Sequence, residues 1–152
     1  VHFLSFVVAA AITATPMQEM SFMSGEWSCS ISSSLGHQTE IDRNAAAGAW
    51  MHVSGDVSAG MGRQASHYDG YLGWDSVQHV WVYVFEDSRG GYGAFQSAVS
   101  PRSRIQKWIG MFPKDNSGSF VLQHVSDTRY VIDFPLMVGK TKTFVHQDCR
   151  RS

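Results

Sequence analysis

The sequence predicts an all-β fold, a closed antiparallel up-and-down barrel of about ten strands preceded by a short helical turn. Three observations lead there. Past residue 24, Ser, Val, Gly and aromatic residues are abundant and Leu is scarce, which is the composition of strands and turns. Short apolar or alternating segments recur about every 8–14 residues between Gly, Asn, Asp and Ser, the spacing of a sandwich or a barrel. Two cysteines, Cys29 and Cys149, lie one near each end of that region.

The elements follow in order. Met17–Met23 is apolar at Met17, Met20 and Met23 and reads as a helical turn. Glu26–Ser32 is the first strand and the weakly alternating His37–Arg43 the second. In the third, Ala49–Gly55, Trp50, His52 and Ser54 share one face and Met51 and Val53 the other. Gln64–Trp74 follows the Gly60–Gly62 turn. Val80–Asp87 is apolar on both faces, and the turn Ser88–Gly91 delivers Tyr92–Val99 as its hairpin partner. Arg104–Phe112 ends at the strong turn Pro113–Gly118. Ser119–Val125, Arg129–Leu136 and Lys140–Asp148 complete the set.

The ends decide between sandwich and barrel. In a closed meander the first and last strands are neighbours, and closure removes exposed edges. Cys29 in the first strand and Cys149 at the end of the last are then close enough to pair, since a disulfide needs α-carbons roughly 4.4–6.8 Å apart. An immunoglobulin-type sandwich would place a Trp between its cysteines, about a dozen residues beyond the first. Here Trp27 precedes Cys29.

Residues 3–12 form the most apolar stretch, followed by Thr13, Ala14, Thr15 and Pro16. An apolar run ending in small residues is the core and cleavage region of a secretory signal. Only Val1 and His2 precede it, so the usual positive segment is missing. The expectation is a partial signal peptide over residues 1–14, cut after Ala14, and one barrel domain over 15–152. A buried first strand or helix is the alternative. A Cys29–Cys149 bridge agrees with an oxidising, periplasmic or extracellular compartment.

Other classes are excluded by composition. Hydrophobic residues make up 43% and charged residues 16%, enough apolar material for a core and unlike a disordered chain. The net charge is −1, with no basic cluster longer than Arg150–Arg151, so a nucleic-acid footprint is absent. No apolar run reaches the roughly 20 residues of a membrane helix. Neither cysteine belongs to a C-x-x-C pair, and no two of the seven histidines stand at the close spacing of strand-borne ligands, so no metal is expected. There is no G-x-S-x-G elbow, and Gly60–Gly62 and Gly90–Gly91 lead into strands, where a phosphate loop would open a helix.

The segment Phe22-Met-Ser-Gly25-Glu-Trp27-Ser-Cys29 resembles the opening of calycin-type barrels, the superfamily of lipocalins, fatty-acid-binding proteins and nitrobindins. There a short helix runs into Gly-x-Trp at the start of strand one, and the Trp plugs the closed end. Ten strands resemble the fatty-acid-binding and nitrobindin branch more than the lipocalins. Asp69–Asp75, Trp81 and Gly90–Tyr92 are similar to secreted bacterial proteins of this architecture. The resemblance implies a lumen that holds a small molecule. Nitrobindins take a proximal haem His from late in the barrel, a role that would fall to His146. Their opening, however, has further glycines where this chain has Ser28 and Cys29.

A barrel of this size can enclose one small ligand. Trp50, His52, Tyr71, Tyr83, Phe85, Tyr92, Trp108 and His146 are the candidate lumen contacts, each mid-strand, with core packing as the alternative for any of them. Five Trp, five Tyr and nine Phe favour an apolar or aromatic ligand. The sequence thus points to an exported carrier of a small hydrophobic or aromatic molecule. The alternatives are a barrel enzyme using a lone His, Tyr or Asp for isomerase- or cyclase-type acid–base chemistry, a haem protein, and a ligand-free structural or interaction protein. Asp69 and Asp75 read as turn and strand-end residues.

Overall fold

A computed structural model describes residues 15–113 and 118–152; the apolar leader over 1–14 and most of the Pro113–Gly118 turn lie outside the described residues. Ten strands form one closed antiparallel barrel in sequence order, with β1 paired to β10. They are β1 Gly25–Ser33, β2 Gly36–Ala47, β3 Trp50–Val57, β4 Ser66–Asp75, β5 Val80–Asp87, β6 Tyr92–Ser97, β7 Ile105–Phe112, β8 Ser119–Ser126, β9 Arg129–Val138 and β10 Thr141–Arg151. The largest departure from the sequence expectation is β2, which runs on through Asn44–Ala47. Those residues gain a ladder by pairing with Trp50–Val53 across the tight Gly48 turn, a pairing that helix-tolerant alanines do not announce.

The period-2 rule sorts the side chains. Trp27, Cys29 and Ile31 of β1 are buried, as are Val145, Gln147 and Cys149 of β10 and Met51 and Val53 of β3. Cys29 lies directly opposite Cys149, and the two form a disulfide. Closure of the barrel and the covalent tie therefore coincide at one seam.

One end is stoppered. Helix α1, Pro16–Glu19, starts with Thr15 N–H donating to Gln18 Oε1 at 2.8 Å, and a 3₁₀ turn follows at Ser21–Met23. This hook inserts Met20 and Met23 into a core with Trp27, Trp81, Trp108, Leu122 and Tyr130. Trp27 Nε1 donates to Met23 O at 2.8 Å. Arg151 locks the hook by donating to Ser24 O and Phe22 O, and its guanidinium lies 4.6 Å from the Trp27 ring centroid. At the other end the β3–β4 loop folds Met61 against Ile31 and Val145.

Candidate functional site

Between the stopper and the far end lies a cavity of about 430 Å³. Its walls are aromatic, from Tyr83 and Phe85 of β5, Tyr92 and Phe95 of β6, Trp108 of β7 and Phe120 of β8. Neighbouring rings touch in series: Tyr83 stacks on Phe85 (5.7 Å between centroids), Phe95 meets Phe120 edge-on (5.1 Å) and Trp108 stacks on Phe120 (5.4 Å). Gly70 of β4 faces this wall, where any Cβ would crowd Val84 O, Phe85 and Tyr83. The rim carries Arg63, Asp87 and Arg89, and Asp87 also holds the β5–β6 turn by accepting from the N–H groups of Arg89 and Gly91 at 2.8 and 2.9 Å.

Opposite the aromatic wall stands a polar stripe. The inward positions of β2 are Gln38, Glu40, Asp42 and Asn44, all buried, and the last three line the cavity. Tyr130 Oη donates to Asp42 Oδ2 at 2.7 Å, and Tyr68 Oη lies 2.7 Å from Asp42 Oδ1 and 3.0 Å from Glu40 Oε1. Gln147 Nε2 donates to Glu40 Oε1 at 2.9 Å. Gly55 of β3 makes the cluster possible, because a Cβ there would sit 2.5 Å from Tyr68 Cε1 and 2.7 Å from Asp42 Oδ1.

Burial drives the Glu40 carboxyl well above its ordinary range, and the adjacent charge of Asp42 pushes the same way. Tyr68 and Tyr130 are raised for the same two reasons, burial first and the carboxylates second. Tyr83 is raised as well, mainly by burial. Among the described residues no Lys, Arg or His forms an ion pair with Glu40 or Asp42. Two carboxyls therefore face the lumen with only neutral donors around them. An arrangement of this kind can hold a cation, or hold and release a proton beside a bound molecule.

The eight candidate lumen residues divide evenly. Tyr83, Phe85 and Trp108 line the cavity, and Tyr92, 55% exposed and packed on exposed Phe112, borders its mouth. Trp50, His52, Tyr71 and His146 lie on the outer face, which corrects the expectation for them. On β3 the inward face belongs to Met51 and Val53, so Trp50 and His52 point out, and Trp50 covers Gly73. Tyr71 flanks buried Leu72 and is 49% exposed. His146 flanks buried Val145 and Gln147, and its Nδ1 lies 2.7 Å from Asp133 Oδ1 on the outside. An outward imidazole cannot reach a haem in the lumen, so His146 does not take the role that the nitrobindin resemblance implied. His52 instead ends an external chain that runs Glu26–Arg43–Asp56–His67–Asp69–His52.

The polar stripe is what sequence reasoning missed. Binary patterning assigns apolar residues to the inside, and on β2 that rule selects Ile41 over Glu40 and Asp42. The signal that could have found it is hairpin register. A two-residue turn at Ser34–Leu35 pairs Ser33 with Gly36 and therefore Cys29 with Glu40, so an inward cysteine carries Glu40 inward with it.

No protein-family model matches the chain, and no curated protein matches it. Among solved structures, a de novo designed fluorescence-activating β-barrel is similar over 87% of this chain and 95% of its own, at 13% identity and a TM-score of 0.49. A redesigned β-barrel is similar over 87% of this chain and 93% of its own, at 12% identity and a TM-score of 0.47. Another redesigned barrel, solved bound to DFHBI, covers 86% of this chain and 99% of its own, at 10% identity and a TM-score of 0.44.

Proposed function

We propose that this protein is a small-molecule-binding barrel that carries an apolar or aromatic ligand in its lumen, outside the cytoplasm. The observation that carries the reading is the aromatic-walled cavity of about 430 Å³, which falls in the range of small-ligand sites, about 300–1,000 Å³. A structural protein whose lumen is filled by its own side chains would not leave such a space, because interiors otherwise pack to crystal-like density. Export is supported by the signal-like leader and by the buried disulfide, which suits an oxidising compartment. Kinship with calycins belongs to the same reading. Its support is Trp27, fully buried at the stoppered end and bonded to the helical hook.

The test is titration with N-phenyl-1-naphthylamine, an uncharged aromatic dye, read by energy transfer from tryptophan. Saturable binding at one dye per chain is expected, and Ile132→Trp, which fills the cavity from β9, abolishes it. Absence of binding, or binding indifferent to the filled lumen, sinks the carrier. Acid–base catalysis in the same cavity is the second reading, favoured by the raised carboxyl of Glu40 beside Asp42 and two tyrosines. It requires that a compound taken up by the protein leave it chemically altered.

A further inference from the structure

The geometry points to a ligand that carries a protonated amine on an aromatic body, with the amine seated against Glu40, Asp42 and Asn44. This inference rests on the carrier reading and specifies what is carried. It begins with an imbalance of hydrogen-bonding types. Three successive inward positions of β2 present carboxyl or amide oxygens to one cavity. Asn44 is 4% exposed, and its Nδ2 donates to Met23 O at 2.9 Å, which fixes the amide orientation. Its Oδ1 is then a buried acceptor without a partner among the described residues, on a side chain that lines the cavity. Asn44 is therefore an independent sign that this end of the stripe awaits a donor, because a buried acceptor left unpaired forfeits the hydrogen bond it had to water.

An ammonium group answers every feature of the stripe. It has three donors and no acceptor, and its positive charge compensates a carboxylate that has no cationic partner among the described residues. A hydroxyl could supply one donor but would leave the charge uncompensated, and a carboxylate would add repulsion. The remaining surface suits the rest of such a molecule. The faces of Tyr83, Phe85, Phe95 and Phe120 border the same space, and aromatic faces attract cations and stack with flat rings. The rim does not select for the amine, since Arg63 and Arg89 outnumber Asp87 there. Selection for positive charge is thus assigned to the floor alone.

Three ligands of one shape separate the possibilities: tryptamine, its neutral alcohol analogue tryptophol and the anion indole-3-acetate, each titrated calorimetrically near neutral pH. Tryptamine is expected to bind at least about tenfold tighter than tryptophol, the scale of one charge-assisted hydrogen bond. Asp42→Asn should collapse that ratio toward one, with near-ultraviolet dichroism confirming the fold. If that variant does not fold, the wild-type ratio alone decides. Equal affinity for amine and alcohol overturns the inference while leaving the carrier standing. Tighter binding of indole-3-acetate also overturns it, placing the selecting charge at the Arg63–Arg89 rim. Failure of all three together with the uncharged dye removes both readings.

Discussion

Glu40 gives up its proton less readily than a solvated glutamate because it is buried beside Asp42, and this makes the fold less stable as pH rises. The unfolded chain releases this proton near the ordinary value of 4.5, while the native state holds it to a well higher pH. Between those two values the native state binds more protons than the unfolded one, so stability falls as pH rises. The slope is at most about 1.4 kcal/mol per pH unit for one group. Glu40→Gln replaces the protonated acid with a neutral group of the same shape that can accept from Tyr68 and donate to Asp42. Urea denaturation at several values between about pH 4 and 7 should show wild type losing stability relative to Glu40→Gln as pH rises. Parallel profiles would show that native Glu40 holds its proton no more tightly than a solvated glutamate. The external charge chain does not confuse the comparison. Asp56 is lowered, first by the hydrogen bond from Arg43, and His67 is raised, first by its bond to Asp56. Both contributions are common to the two proteins and cancel.

At the scale of elements, strand formation was written plainly in the sequence and strand facing was not. β5 runs over Val80–Asp87 as the apolar segment and its flanking turn predict, and the other nine strands fall close to their expected places. Those segments are legible because turn residues delimit them. Facing is decided by which alternate set reaches the interior, and here two signals compete. Trp50, His52 and Tyr71 look like lumen residues by size and chemistry, yet Met51 and Leu72 take the inside. Glu40 and Asp42 look like surface residues, yet the neutral donors Tyr68, Tyr130 and Gln147 hold them within. A buried polar network is specified by partners from β4, β9 and β10, which no local pattern on β2 contains. The helical hook is the element most dependent on a single distant residue. Arg151 donates to Ser24 O, Phe22 O and Asp127 O, so Arg151→Ala leaves three carbonyls without their charged donor. The expected cost is about 1–3 kcal/mol, read as a lower urea midpoint. Amide exchange at Met20–Ser24 should accelerate with it, and unchanged protection there would show that Met20 and Met23 hold the hook by packing alone.

For the molecule as a whole, the ring of strands has one place where closure depends on residues far apart in sequence. β1 and β10 meet over six residue pairs from Trp27–Arg151 to Ser32–His146, and the disulfide crosses that seam with a sequence separation of 120. Every other neighbouring pair of strands is consecutive along the chain. The seam therefore bears the largest loop-closure cost in the fold, and it is also where the covalent tie sits. On the chain-entropy treatment a tie over so long a loop adds roughly 4–5 kcal/mol by restricting the unfolded chain. The double replacement Cys29→Ala with Cys149→Ala should then lower the melting temperature by about 10–15 °C for a chain of this size. Both sulfurs are buried, with the cysteines 2% and 0% exposed, and they lie beside the polar floor, where Gln147 Nε2 is 3.5 Å from Cys149 Sγ. A reductant in solution reaches them only when the seam opens. Thiol release under dithiothreitol should consequently track the loss of native tryptophan fluorescence, with both following the unfolding rate. Release of thiols while the fluorescence stays native would mean that β1 and β10 part locally, and a ring that opens there would expose its polar floor directly to solvent.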